Sequence, residues 1–173
     1  MTDAARNVLK ECELALADFE AGADTVHWRS RFVALITALR SVGLVLKLKD
    51  YPASSDTAKE AIDQAWERLN SSKSEPRIFH KFRDAERYNV AHLYDVNAGV
   101  NITARPGSLW VNLATGESGS EPSGPTTYEY FMRYGPFQGQ DPVKLCREAI
   151  AFWREYLDDI EQVIESVNRK ATL

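Results

Sequence analysis

Histidine and cysteine, the residues from which most metal sites and nucleophilic sites are built, are scarce in this sequence. Its 173 residues include three histidines and two cysteines, and it contains no CxxC pair, no HExxH motif and no Gly-x-Ser-x-Gly elbow. A zinc site would have to recruit carboxylates from distant positions, so we expect neither a metal nor a cofactor. Glycine-rich phosphate loops are also absent, which excludes the common nucleotide-binding motifs.

Long apolar runs and secretory signals are missing as well. The most apolar stretch, residues 32–48, is interrupted by Arg40 and Lys47, which breaks it too often for a membrane span. The first residues lack the basic and then apolar run of a signal peptide. Cys12 and Cys146 each lie among apolar residues at helical spacing, which is typical of buried reduced thiols. We therefore expect a cytoplasmic protein without a membrane segment.

Apolar residues recur every three or four positions through the first half of the chain, which predicts helices. One helix is expected at residues 3–21, with Gly22 as a stop. A second begins at a cap at position 24 or 25 and ends before Pro52, because proline disfavours helical geometry in the residue before it. The alternation at residues 44–49 also fits a strand, but the long helical pattern before it favours a helix.

Two further helices are predicted after Pro52. One starts at a cap within residues 54–56. The other, which we name the motif segment, covers residues 75–94 and has Pro76 in its first turn, where a missing N–H costs nothing. The inward positions of the first of these two helices are Ala58, Ile62, Ala65, Trp66 and Leu69.

A long helix is predicted at the end of the chain. Asp141 and Pro142 supply its cap and first-turn proline, and it covers about residues 142–168. Its apolar residues step by four and three without interruption, which is the strongest periodic signal in the sequence and predicts a buried seam. This seam consists of Cys146, Ile150, Trp153, Leu157, Ile160, Ile164 and Val167.

The apolar pattern changes to a period of 2 between the motif segment and the last helix. Residues 100–104 alternate, residues 106–108 form a turn, and residues 109–113 continue the alternation, which predicts a β-hairpin. Residues 127–134 are rich in aromatic side chains and predict a third strand that packs against a helix. A β insertion is therefore expected at about residues 98–135.

These elements predict a single, mainly α-helical domain over residues 1–173. Short connections between four to five helices favour an antiparallel bundle, with the β-hairpin or three-stranded antiparallel piece inserted at one end or edge. About 44% of the residues are apolar and 27% are charged, which is ordinary for a globular domain. The net charge of -4 argues against an overall electrostatic attraction to nucleic acid or membranes and leaves room only for a local basic patch.

The motif segment places polar residues inside an apolar stripe. At 100° per residue its apolar side chains form one face, and Glu86 and Asn89 fall within that face, where unpaired polar groups cost free energy. Arg87 and His92 flank the face on opposite sides, about 140° apart. Such a helix faces either a hydrogen-bonded core network or a functional cleft.

Residues 87–92, Arg-Tyr-Asn-Val-Ala-His, resemble the Arg-x(4–6)-His signature of HEPN domains. The layout of residues 28–94 also looks similar, because a long helix with Val-Gly near its end precedes the helix that carries the motif. HEPN domains are small helical bundles, often homodimeric, and many are metal-independent ribonucleases of toxin–antitoxin, defence or RNA-processing systems. The resemblance implies RNA as the substrate, a homodimer, and an antitoxin-like protein as a further partner.

The resemblance also implies roles for individual residues of the motif segment. His92 would move protons, since its pKa lies near neutrality, and Arg87 would bind the phosphate. Asn89 would complete the catalytic set, supported by Glu86. Active family members usually carry a polar residue directly after the arginine, whereas Tyr88 stands here. Further contacts with RNA would come from Lys81, Arg83 and Tyr88.

A structural role for the same residues is the alternative. His92 would then bond a backbone carbonyl at the edge of the core, and Arg87 would pair with Asp84, Glu86 or a neighbouring helix. The chain would in that case be a non-catalytic helical binding or assembly protein, again homodimeric. Exposure of Arg87 and His92 in one shared cleft, as opposed to burial in separate ion pairs, distinguishes the two functions.

Overall fold

A computed structural model describes residues 2–21, 27–71, 78, 98–103, 107, 109–112, 115–120, 124, 127–133 and 137–171. These residues are mainly helical. The elements in chain order are α1 (Asp3–Ala21), α2 (Trp28–Val45), a π-helical turn (Leu46–Asp50), α3 (Asp56–Ser71), β1 (Ala98–Thr103), β2 (Leu109–Val111), β3 (Ser118–Ser120), β4 (Thr127–Met132) and α4 (Pro142–Ala171).

The two helices predicted before Pro52 and the one directly after it are confirmed, except that α2 begins at Trp28 after an N-cap at His27, not after a cap at position 24 or 25. α1 covers the predicted range, and α3 begins at Asp56, inside the predicted group of caps. α2 continues directly into the π-helical turn, so residues 44–49 are helical and the alternative of a strand is wrong. The turn ends at Asp50, but Tyr51 keeps helical backbone angles (φ -55°, ψ -51°) directly before Pro52, so the helical conformation extends one residue further than the restriction on the residue before proline predicts.

α4 contains 30 residues and runs slightly beyond its predicted end. Six of the seven predicted seam residues are buried, including Trp153, Leu157 and Ile160. The seventh, Val167, is 42% exposed, so the seam prediction is wrong at that position. Residues 165–169 are all exposed, which indicates that α4 extends past the helices against which it packs.

α1 lies antiparallel to both α2 and α4. The N–H groups of Ala4 and Ala5 donate to the Asp50 carboxylate at 3.0 and 2.8 Å, so the start of α1 is beside the turn that ends α2. At the other end the rings of Phe19 and Phe32 stack with centroids 5.9 Å apart. The ion pairs between α1 and α4 follow the same antiparallel order: Arg6 with Asp158 and Glu161, Glu13 with Arg154, and Glu20 with Arg147.

The described strands form two separate antiparallel pairs. β1 pairs with β4, and β2 pairs with β3. The predicted hairpin between residues 100–104 and 109–113 is not confirmed, because β2 pairs with the strand that follows it in the chain. A short turn allows this pairing: Asn112 donates to the carbonyl of Glu117 at 2.7 Å, and Gly116 adopts a positive φ of 74°, which glycine accepts without strain.

The aromatic strand β4 packs against the helices, as the sequence predicts. The ring of Tyr130 lies 5.2 Å from that of Trp28 and 5.8 Å from that of Phe19, between centroids. Met132, at the end of the same strand, is buried in the core. Aromatic contacts of this kind add to the stabilisation that comes from burial alone, so β4 is anchored on the end of α1 and the start of α2.

Cys12 and Cys146 are buried and free, in agreement with the prediction. Burial raises the pKa of each thiol to about 12. Because the thiolate is the reactive form of cysteine, neither residue is suited to act as a nucleophile at neutral pH.

Candidate functional site

The residues predicted to form an RNA site lie outside the described residues, so the predictions about their roles stay predictions. Near the start of the motif segment, Ile78 is described, and it is helical and 6% exposed. Its burial agrees with its predicted place on the apolar face of that segment. The residues outside the described ranges are Lys81, Arg83, Glu86, Arg87, Tyr88, Asn89 and His92.

The π-helical turn after α2 directs its polar side chains toward two different helices. Tyr51 donates its N–H to the carbonyl of Leu46 at 2.9 Å, five residues earlier, so one more residue is accommodated than in an α-helical turn. Asp50 contacts the first turn of α1, whereas Lys47 contacts Asp63 on α3. The turn therefore joins α2 to both α1 and α3.

Lys47, Tyr51 and Asp63 form a polar cluster on this turn. Lys47 Nζ lies 2.5 Å from Asp63 Oδ1, and the Tyr51 hydroxyl donates to Asp63 Oδ2 at 2.8 Å. The Lys47 ammonium also lies 4.3 Å from the centre of the Tyr51 ring and 5.7 Å from that of Trp66, which favours the cation through its attraction to the ring faces.

The electrostatics of this cluster favour a structural role. Hydrogen bonds from Lys47 and then Tyr51 lower the pKa of Asp63, so the carboxylate stays ionised and is a weak base. The hydrogen bond to Asp63 raises the pKa of Tyr51, which keeps the phenol protonated. Proton transfer near neutral pH needs a group whose pKa lies near that pH, and these shifts move both groups away from it.

A second polar cluster joins the start of α1 to α4. Arg6 donates from Nη2 to Asp158 at 2.5 Å and to Glu161 Oε2 at 2.7 Å, and from Nε to Glu161 Oε1 at 3.2 Å. Thr2 also donates to Glu161. Burial acts to raise the pKa of Glu161, but the hydrogen bonds from Arg6 and Thr2 outweigh it and lower the pKa.

We expect the Arg6→Ala variant to lose about 1 kcal/mol or less of stability at pH 7, since these ion pairs are partly exposed. The pKa of Glu161 is lower in the folded state, so its stabilisation is present above its unfolded pKa and is lost as the pH falls through its folded pKa. Urea unfolding should therefore show a difference from wild type at pH 7 that vanishes at strongly acidic pH.

The matched control is the Arg169→Ala variant, which removes an exposed ion pair with Glu165 on the same helix. We expect its stability to equal that of the wild type at both pH values. A loss of stability in Arg6→Ala that is equal at neutral and acidic pH would contradict an ionic origin and would implicate packing of the Arg6 stem.

Gly43 allows α2 to approach two tryptophans closely. A Cβ at this position would lie 2.7 Å from Trp153 Cη2 and 3.3 Å from Trp66 Cζ3. Trp153 is 1% exposed and packs edge-on against the rings of Phe152 and Tyr156, so its indole has little room to move. Glycine is therefore required here by packing, although it is a poor helix former.

We expect the Gly43→Ala variant to be destabilised by about 1 kcal/mol. Overpacking costs about 1–3 kcal/mol, and the better helix propensity of alanine offsets part of it, up to about 1 kcal/mol. The added methyl group would lie too close to the six-membered ring of the Trp153 indole. The Gly43→Ala/Trp153→Phe double variant should therefore be more stable than the sum of the two single changes, as measured by a double-mutant cycle in urea. Additive effects would contradict the clash.

A row of uncharged residues lines the outer face of α2, and Leu48 of the following π-helical turn continues it. Its residues are spaced by four and three, the spacing of the contact positions of a coiled coil. Leu44 is 43% exposed and Leu48 is 76% exposed. We name this surface the α2 seam, and its residues are Ser30, Ala34, Thr37, Ser41, Leu44 and Leu48.

The three hydroxyl groups of the α2 seam bond to the helix itself. Ser30, Thr37 and Ser41 donate to backbone carbonyls three or four residues earlier, at 2.9, 2.8 and 2.8 Å. Hydroxyls bonded in this way need no water as a hydrogen-bond acceptor, so they can be covered by another apolar surface at low cost. The α2 seam is therefore both uncharged and ready to be desolvated.

The α2 seam is absent from the sequence predictions, although the sequence carries a signal for it. The recurring apolar residues that predict this helix, such as Phe32, Leu35 and Leu39, are on its buried side. On the opposite side, uncharged residues repeat at the same spacing. A helix that is uncharged on both sides indicates a second contact surface.

Within the described ranges, no group of three His, Cys, Asp or Glu side chains is placed to hold a metal ion. The same residues include no helix that is long and apolar enough to cross a membrane.

No family model, no curated protein and no solved structure matches this chain. The likeness to HEPN domains consequently depends on residues 87–92 and on the helical layout around them.

Proposed function

We propose that this chain is a HEPN-like helical protein that cleaves or binds RNA as a homodimer. The observation that carries the proposal is the Arg87–His92 spacing on a basic, amphipathic segment of a mainly helical chain. The described part of the layout agrees with it, since α2 is a long helix with Val42 and Gly43 near its end. Gly43 is also the position at which α2 packs against Trp66 and Trp153.

The proposed chemistry needs only side chains that the motif segment supplies. His92 takes the proton from a ribose 2′-hydroxyl, and the 2′-oxygen attacks the adjacent phosphorus. The bond from phosphorus to the 5′-oxygen breaks, the leaving oxygen receives a proton from a protonated His92 imidazole, and the product is a 2′,3′-cyclic phosphate. Arg87 stabilises the charge that develops on the phosphoryl oxygens through planar, permanently charged donors.

A homodimer follows from the predicted geometry of the motif segment. Arg87 and His92 lie about 140° apart around one helix, so a single copy cannot easily direct both at one phosphate. Two copies related by a two-fold axis would bring the arginine of one toward the histidine of the other. Lys81 and Arg83 would attract the RNA backbone to this composite site.

The test of the proposal is cleavage of single-stranded RNA by the purified protein in the presence of EDTA. We expect products that end in a 2′,3′-cyclic phosphate, identified by mass spectrometry. EDTA is included because the sequence offers too few histidines and cysteines for a credible metal site. Products with 5′-phosphate ends, or cleavage that requires added Mg²⁺, would contradict the proposed chemistry.

A non-catalytic assembly protein is the second candidate, and the α2 seam favours it. An uncharged and exposed helix face is typical of a surface that binds another helix. An intact dimer that neither cleaves nor binds RNA would support this function and contradict the first.

A further inference from the structure

We propose that the α2 seam pairs with the α2 seam of a second copy, in antiparallel orientation about a two-fold axis. The axis passes between Thr37 and Ser41, near the middle of the seam. The inference takes from the proposed function only that the chain forms a homodimer. None of the seam residues belongs to the motif segment. It places a contact between copies on α2, a helix for which the sequence predicts no such contact.

The sizes of the side chains favour the antiparallel orientation. The first half of the seam is small, with Ser30 and Ala34, whereas the second half is large, with Leu44 and Leu48. In an antiparallel pair centred on the seam, Ala34 faces Leu44 of the other copy and Ser30 faces Leu48. Each exposed leucine then meets a small residue of the other copy. Every such contact occurs twice, as the two-fold symmetry requires. A parallel pair would instead place leucine against leucine and leave gaps beside the small residues.

Charge favours a second copy over the other helix faces of this chain. When the α2 seam meets an identical seam, none of the six covered seam side chains is ionised, and Arg31 and Arg40 lie at the edges of the contact. The outer faces of the other described helices would each bury a charge against an uncharged surface, which is costly without a partner. The exposed charged residues on those faces include Lys10 and Asp18 on α1, Glu60 and Glu67 on α3, and Glu155 and Asp159 on α4.

The area of the seam predicts a dimer of modest affinity. From Ser30 to Leu48 the helix rises about 27 Å, and its contact strip is about 10 Å wide. The strip therefore covers on the order of 300 Å² on each copy, less than the roughly 800 Å² per partner of a standard interface. An interface of this size is in the range of weak, transient contacts, so the dimer has to be measured over a series of concentrations.

Disulfide cross-linking tests the surface and its orientation together. We expect an equal mixture of the Ala34→Cys and Leu44→Cys variants to form a disulfide-linked dimer under mild oxidation, because these positions face each other in the antiparallel pair. Each variant alone should stay unlinked, since residue 34 and its own copy are ten residues apart along the paired helices, about 15 Å. Disulfides require Cα atoms within about 7 Å. Native Cys12 and Cys146 are buried and should not contribute.

The matched control is an equal mixture of the Glu155→Cys and Asp159→Cys variants, whose positions are exposed on α4. It should remain monomeric on a non-reducing gel. Self-linking of Leu44→Cys alone would indicate a parallel pair and overturn the orientation. The wild type could instead sediment as a dimer while the mixture of Ala34→Cys and Leu44→Cys stays unlinked. That result would overturn the α2 seam as the dimer surface and would not contradict the homodimer of the proposed function.

A charge substitution supplies a second, independent test. The Leu48→Glu variant should weaken dimerisation at least tenfold in sedimentation equilibrium, because two carboxylates would be desolvated at the interface. The control is Leu14→Glu, which places the same charge at a similarly exposed leucine on α1 (69% exposed, against 76% for Leu48) and should leave the dimer unchanged. A wild type that is strictly monomeric at submillimolar concentration, or equal dimerisation by both variants, would overturn the inference and point to another occupant of the seam.

RNA cleavage is measured separately from dimerisation, so the two proposals can fail independently. Cross-linking through residues 34 and 44 without any RNA cleavage or binding would support the inference and contradict the RNA function. Cleavage by the wild type and by the Leu48→Glu variant at equal rates per chain, with that variant monomeric, would support the seam as the dimer surface and contradict the two-copy site of the proposed function.

Discussion

Replacing Ile160 with aspartate is expected to lower the free energy of unfolding by about 4 kcal/mol or more. Ile160 is 0% exposed and lies in the middle of the α4 seam. The substitution removes a buried aliphatic side chain and places a carboxylate among apolar groups that cannot solvate it. Since domains of this size are stable by only about 5–15 kcal/mol, the variant should be largely unfolded at physiological temperature. Urea unfolding followed by circular dichroism provides the measurement.

Two matched variants separate burial from the general effect of an added charge. Gln162→Asp adds the same carboxylate at an exposed position of α4, and we expect its stability to lie within about 0.5 kcal/mol of wild type. Ile160→Val removes only a methyl group and should cost about 1 kcal/mol. If Ile160→Asp melts together with Gln162→Asp, Ile160 is not buried and the packing of α4 against the other helices is wrong.

The helices of this chain could be predicted from its sequence because their apolar spacing reports directly on the buried face. α4 is the clearest case, as six positions from Cys146 to Ile164 are buried in step with the pattern. Spacing does not report where the neighbouring helices end. Val167 continues the pattern but is 42% exposed, because a periodic sequence can extend beyond the surface that covers it.

Strand pairing was harder to predict than strand position. Alternation located β1 and β2, and aromatic content located β4, to within a few residues, but neither signal carries information about which strand is the neighbour. The pairing of β2 with β3 depends on the turn around Asn112 and Gly116. β3 is Ser-Gly-Ser, which has neither the apolar alternation nor the β-branched residues from which strands are predicted.

The polar cluster of Lys47, Tyr51 and Asp63 could not be predicted from helical periodicity. The π-helical turn accommodates one residue more than an α-helical turn, and the spacing of the apolar residues does not report this extra residue. Within the turn, Lys47 contacts α3 and Asp50 contacts α1. The α2 seam lies almost entirely before this turn and keeps the regular spacing, so a search of both sides of α2 for uncharged repeats would have found it.

The Arg87→Ala and His92→Ala variants are expected to lose RNA cleavage by at least about 100-fold each, which is the usual effect of removing a positioned charge-stabilising group or a general acid–base. Arg87 is assigned to the phosphate and His92 to the protons, so the two losses should differ in their pH dependence. Cleavage by Arg87→Ala should keep the wild-type pH profile at a lower rate. Cleavage by His92→Ala should lose the inflection that the titration of a histidine gives to the wild-type profile.

A third variant, His80→Ala, is the matched control, because it removes the other histidine of the motif segment without touching the Arg-x4-His spacing. It should retain wild-type activity.

Mixing the Arg87→Ala and His92→Ala variants tests the composite site. A dimer of one copy of each variant holds one site with both groups intact and one site with neither. Because half of the dimers in an equal mixture are of this kind, the mixture should recover up to about a quarter of the wild-type activity. Equal cleavage by all variants would reveal a contaminating nuclease. Loss in both single variants without recovery in the mixture would place Arg87 and His92 of the same copy at one phosphate, and the two-fold site would be wrong.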